Sequence, residues 1–188
     1  MKNNTVKIVI IFSIVFNLLF FTMLALCIIY NFTQPYFSIF ITSFMFAYHF
    51  DIRLIVSFLC LVCFKNKFNV YSKTYTVSNK EFKHLEALRV KNWKDKFFTW
   101  NKNMFVLQGN NKSDIENVLK HNINSEITHI ICIIFSLLSI LFGCLLSIEE
   151  WWIYLLTAVI ALICFDIPPI LIQRYNRYRL YKILNRLK

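Results

Sequence analysis

Four apolar stretches, residues 6–30, 36–64, 129–148 and 151–172, constrain this chain more than any other feature. A helix needs roughly 20 residues to cross about 30 Å of hydrocarbon, and in lipid each backbone amide must be paired within its own segment. Each stretch is long enough, so the expected fold is an all-α integral membrane protein with about four transmembrane helices. The one long connection, residues 65–128, is left to form amphipathic helices at the cytoplasmic interface. With 57% of its 188 residues hydrophobic, the chain has little from which to build a separate soluble core, so residues 1–188 read as a single membrane domain.

Positive charge is sorted to one side of these stretches. The link at 31–35 has no Lys or Arg, and the link at Glu149 and Glu150 is acidic. Lys2 and Lys7 precede the first stretch, residues 65–128 carry twelve basic against six acidic residues, and the tail 173–188 carries six basic residues and no acid. By the excess of Lys and Arg in cytoplasmic loops, both termini and the central segment are expected to face the cytoplasm, in a multi-pass arrangement. A net charge of +11 attracts any polyanion. Its placement beside span ends, however, points to anionic lipid headgroups and not to nucleic acid. The first stretch is longer than a signal-peptide core and has no small-residue cleavage site, so it reads as a retained helix. All six cysteines fall inside the apolar stretches as small buried hydrophobes, and Cys60-x-x-Cys63 has neither a second pair nor a nearby His to complete a metal site. Two glycines exclude a phosphate-cradling Gly-rich loop.

The second stretch is interrupted by His49, Asp51 and Arg53. Ionisable groups at membrane depth face a protein interior or a wet cavity. Either one long helix carries them inward or the helix breaks near them. In a regular helix His49 and Arg53 share a face and Asp51 points away, so Asp51 and Arg53 do not pair. These three residues alone would support a small transporter.

In the central segment Ser78 with Glu81, and Ser113 with Glu116, have the S-x-x-E spacing of a capping box and mark two helix starts. Phe82, Leu85 and Leu88 form one apolar face, and Ile115, Val118, Leu119, Ile123 and Ile127 another that leads into the third span. Trp93, Phe97, Phe98, Trp100 and Phe105 suit an interfacial aromatic belt. The tail has Leu180, Ile183, Leu184 and Leu187 on one stripe with basic residues around it, the pattern of an amphipathic helix on anionic lipid.

Chemistry has two candidate locations. Glu126 and His129 are three apart, about 60° around a helix, and a carboxylate beside an imidazole fixes its tautomer as a general base requires. An ordinary interfacial histidine fits the same spacing. At the end of the fourth span Pro168 and Pro169 remove two backbone donors, so a kink there leaves carbonyls in a pocket that Asp166 lines. Arg174 and Arg177 share a face and either clamp a phosphate or carboxylate or simply snorkel to the interface. No cluster of metal ligands is present, and neither a metal nor another cofactor is called for.

Trp93-Lys94-Asp95-Lys96, Glu126-x-x-His129, Pro168 and the run Gln173-Arg174-Tyr175-Asn176-Arg177-x-Arg179-Leu180 occur in the order and approximate spacing of the glycosyl-4,4'-diaponeurosporenoate acyltransferase family, which the region from Lys65 to Leu187 resembles. The chain departs from that pattern at Asp166, where the family has Asn, at Tyr178 (Pro), Phe97-Phe98 (Leu-Pro), Asn124-Ser125 (Arg-Ala) and Ile130 (Trp). The resemblance implies a membrane acyltransferase that esterifies the sugar hydroxyl of a glycosylated C30 carotenoid. Its partners would be the bilayer, a fatty acyl donor (acyl-CoA or an acyl lipid) and a glycolipid acceptor. On that reading His129 accepts the hydroxyl proton, Glu126 orients it, and Asp166 is an alternative base. Arg174, Arg177, Asn176, Gln173, Trp93 and Lys94 would hold substrate. The alternative is a non-enzymatic membrane module that docks a partner or senses anionic lipid through its amphipathic helices.

Overall fold

The computed structural model describes residues 4–64, 67–94, 96, 111–146 and 149–187, and among these it is helical with no strand. In chain order the elements are α1 (Asn4–Ile29), α2 (Tyr36–Cys63), a 3-10 turn (Lys73–Tyr75), α3 (Asn79–Ala87), α4 (Val90–Trp93), α5 (Lys112–Leu146), α6 (Trp151–Ala161), a π-helical turn (Leu162–Asp166) and α7 (Ile167–Leu184). Four segments, Val9–Ile29, Tyr36–Cys63, Lys112–Leu145 and Trp151–Leu184, are long and apolar enough to cross a membrane, as the four apolar stretches require. Asp95, Phe97, Phe98, Trp100 and Phe105 lie outside the described residues.

Contacts divide the chain into two compact units. The first comprises Met1–Val56 and Ile131–Phe165. Here α1 and α2 meet through phenylalanines at helical spacing: Phe16 stacks on Phe46 and Phe50 at 5.1 and 5.4 Å, and Phe20 lies 5.5 Å from Phe40. Helix α2 runs unbroken through His49, Asp51 and Arg53, which decides between the two readings of that stretch. As the helical angles dictate, Asp51 turns away from Arg53 and accepts from Ser13 Oγ at 2.5 Å and Asn17 Nδ2 at 2.9 Å on α1. His49 and Arg53 are buried on another face. Arg53 donates to the His49 carbonyl and, at 3.4 Å, to the Ala161 carbonyl at the head of the π-turn. Gly143 lets α5 and α6 close together, since a Cβ there would lie 2.6 Å from Tyr154 Cδ2.

The second unit comprises Ser57–Ile130 and Asp166–Lys188. Ser78 caps α3 as its spacing predicts, its hydroxyl accepting from the Glu81 amide at 3.1 Å. Phe82 stacks on Tyr178 and Tyr175 of α7 at 3.9 and 5.4 Å, over a core of Val77, Leu85, Val90 and Ile172. The second expected cap is corrected. Asn111, not Ser113, caps α5, accepting from the Asp114 amide at 2.8 Å, and the Ser113 hydroxyl donates to the same side-chain oxygen. Asparagine caps as well as serine and stands two residues earlier, while Glu116 is taken by the Tyr71 hydroxyl.

The apolar stripe of the tail is divided. Leu180 and Leu184 are buried with Val70, Ile115, Val118, Leu119 and Ile123, whereas Ile183 and Leu187 remain exposed. Half of the stripe therefore packs within the chain, against α5 and Val70.

Candidate functional site

Several of the polar residues singled out in the sequence meet along one seam of the second unit. Glu126 and His129 are three apart on α5; Asp166 at the N-cap of α7 and Gln173 and Arg177 on it recur at seven and four. Both patterns keep a single helical face. His129 meets Asp166 while Glu126 meets Arg174 and Arg177, so the two helices run antiparallel here.

Asp166 is the N-cap residue of α7 and wholly buried. An N-cap carboxylate ordinarily accepts from the amides two and three residues on. Those residues are Pro168 and Pro169, which have no amide hydrogen. Asp166 makes no capping bond, and its Oδ1 lies 3.2 Å from His129 Nδ1. With the carboxylate as acceptor, Nδ1 carries the hydrogen and Nε2 keeps its lone pair. The imidazole is 23% exposed, so a substrate can reach it. Of the kink or break that the prolines imply, the helix shows no break. The wide π-turn before them absorbs the missing donors and α7 continues to Leu184.

The Glu126 side chain, 7% exposed, is held by two cations. Arg174 Nη1 donates to Oε1 at 3.0 Å, and Arg177 Nη1 stands 2.5 Å from Oε2 without the alignment of a hydrogen bond. Arg177 is 1% exposed, so its charge is met by Glu126 and not by water. The other edge of Arg174, Nε and Nη2, meets both oxygens of Glu81. The spacing of three had paired Glu126 with His129; instead the arginines hold the carboxylate, and Asp166 is the acid beside the imidazole.

The remaining candidates have separate places. Gln173 Nε2 donates to Ser125 at 3.3 Å, and its Oε1 is buried with no partner among the described residues. Lys94 donates to Asn176 Oδ1 at 3.4 Å and stands 5.8 Å from the Tyr175 ring. Trp93 packs against the cluster under α3, its indole N–H donating to the Leu88 carbonyl at 3.2 Å. Glu81 is the side chain of this seam that the sequence reading missed, because the capping-box spacing had assigned its carboxylate to the Ser78 amide. Among the described residues no three His, Cys, Asp or Glu side chains are grouped to hold a metal ion.

Every residue of this seam lies within residues 66–186, the span matched by the family model of glycosyl-4,4'-diaponeurosporenoate acyltransferase. The chain belongs to that family. It is a family of acyltransferases in carotenoid biosynthesis, and the match begins after α1 and α2 and takes in α3 to α7. No curated protein and no solved structure matches the chain.

Proposed function

We propose that the chain transfers a fatty acyl group to the sugar hydroxyl of a glycosylated C30 carotenoid, at the seam between α5 and α7. The seam would lie at headgroup level on the cytoplasmic side of a bacterial cytoplasmic membrane. The observation that carries this reading is the His129–Asp166 pair: a buried carboxylate holding an accessible imidazole, in a chain of an acyltransferase family.

His129 Nε2 takes the proton of the sugar hydroxyl as its oxygen attacks the acyl carbonyl. The tetrahedral intermediate collapses, the donor's thiolate or alkoxide leaves, and His129 returns the proton to it. Asp166 holds the ring in the productive tautomer and balances the imidazolium that forms. Glu126 fixes the arginines and does not orient the base. Arg174, partly exposed about one turn from His129, is the cation a donor headgroup meets. Both substrates are amphiphiles, and a site between two helices at the water–lipid boundary lets their polar ends meet while their tails stay in lipid. The docking alternative loses its main surface, because Leu180 and Leu184 are buried within the chain itself.

The test is reconstitution of the purified protein in bilayers with glycosyl-4,4'-diaponeurosporenoate and labelled acyl-CoA or acyl phospholipid. The expected product is the labelled sugar ester. Its absence with every donor would contradict the proposal.

A further inference from the structure

Arg174 has two unlike edges. Nη1 turns to the buried Glu126, whereas Nε and Nη2 face Glu81, whose side chain is 32% exposed. The Nε/Nη2 edge grips two oxygens of a carboxylate or phosphate side by side. Glu126 does not depend on Arg174 alone, because Arg177 stands against its other oxygen. Glu81 sits in the first turn of the nine-residue α3, and an ion pair open to water is held weakly.

We infer that the Nε/Nη2 edge of Arg174 is the binding site for a phosphate of the acyl donor, and that Glu81 is a resident carboxylate which this phosphate displaces. The inference rests on the acyl-transfer reading and narrows the donor to a phosphate-bearing amphiphile, either an acyl-CoA or a phospholipid. Arg174 is bonded to Glu126, which is three residues, about 4.5 Å of rise, from His129 on α5. A phosphate at Arg174 therefore anchors the donor beside the base. Glu81 acts as a specificity-determining residue: a neutral amphiphile cannot replace it, whereas a phosphate offers the same pair of anionic oxygens.

Binding to the full-length protein in uncharged detergent tests this without requiring turnover. The probes are palmitoyl-CoA, phosphatidylglycerol and the uncharged dioleoylglycerol, each titrated against wild type, Glu81→Gln, Arg174→Gln and the double variant. Glu81→Gln removes the competing charge, so it should bind a phosphate probe about two- to fivefold more tightly, the range an exposed ion pair supports, with dioleoylglycerol unchanged. Whichever phosphate probe gains identifies the donor type. Arg174→Gln should lose the preference for phosphate, and the double variant should show no gain. Ser78→Ala weakens the α3 cap but keeps the Glu81 charge, and it too should show no gain. The inference is overturned if Glu81→Gln binds both phosphate probes no better than wild type, if dioleoylglycerol gains equally, or if Ser78→Ala reproduces the gain. Failure to form the sugar ester would sink the acyl-transfer reading and leave these affinities unchanged, so the two failures are distinguishable.

Discussion

The buried carboxylate of Asp166 lies 3.2 Å from Nδ1 of His129, and two prolines direct it there. A carboxylate at the N-cap of α7 would ordinarily turn back onto its own helix. With Pro168 and Pro169 at the two positions it would cap, that internal bond is unavailable in principle, and the oxygen reaches across to α5. A local rule of helix termini thus accounts for a carboxylate that meets the imidazole of His129 and not its own helix.

On the proposed mechanism Asp166 positions the base, so its variants should separate by whether they keep an acceptor. Asp166→Asn retains a side-chain carbonyl for Nδ1–H and should keep turnover within about tenfold of wild type. Asp166→Leu removes the acceptor and should lower kcat about 10²-fold with KM little changed, as misplacement of a base does. Steady-state kinetics on the sugar ester checks both. Equal losses in the two variants would show that Asp166 does not act by accepting from His129.

Arg177 and Glu126 form a buried pair, and Glu126 is also held by Arg174. Removing one partner of such a pair costs about 3–5 kcal/mol, because the remaining charge stays in a poor dielectric. Arg177→Met should therefore lower the unfolding midpoint of the detergent-solubilised protein markedly, although Arg174 still reaches Glu126. The double variant Arg177→Met/Glu126→Met should recover most of the loss. A single variant as stable as wild type would mean that the pair is hydrated.

Tyr71 donates its hydroxyl to Glu116. That bond holds the phenol above its ordinary value near 10, assisted by slight desolvation and the charge of Glu116 and opposed by Lys112. The folded state favours the protonated phenol, so the contact's contribution is present below pH about 10 and is lost as pH rises through the raised value. Absorbance titration of wild type against Tyr71→Phe should place this phenolate above ordinary tyrosines. Glu116→Gln should move it down, and an unchanged titration would contradict the assignment.

The sequence made the helices legible because their causes are local. Four apolar runs of spanning length become the four long helices, and Ser78 caps α3 as its spacing from Glu81 implies. The angle between Asp51 and Arg53 correctly kept them apart. Pairings that need two helices to meet were not legible. Glu126 and His129 are neighbours on α5, yet each finds its partner on α7, and no feature of one helix reveals which face of another it will meet. Glu81 was concealed by a correct local reading, since the hydroxyl half of its capping box forms while the carboxylate reaches Arg174. Asn111 was passed over because serine two residues later offered the more familiar pattern. The tail stripe read as membrane-binding because nothing in residues 173–188 announces the pocket formed by Val70, Ile115 and Leu119.

The most direct test of the account is turnover by His129→Ala, compared with wild type in the same bilayers at saturating donor and acceptor. A positioned general base contributes about 10²- to 10⁴-fold, so the variant should lose that factor in kcat while still binding both substrates. Ester formation by His129→Ala at the wild-type rate would contradict the central claim that this imidazole takes the sugar hydroxyl's proton.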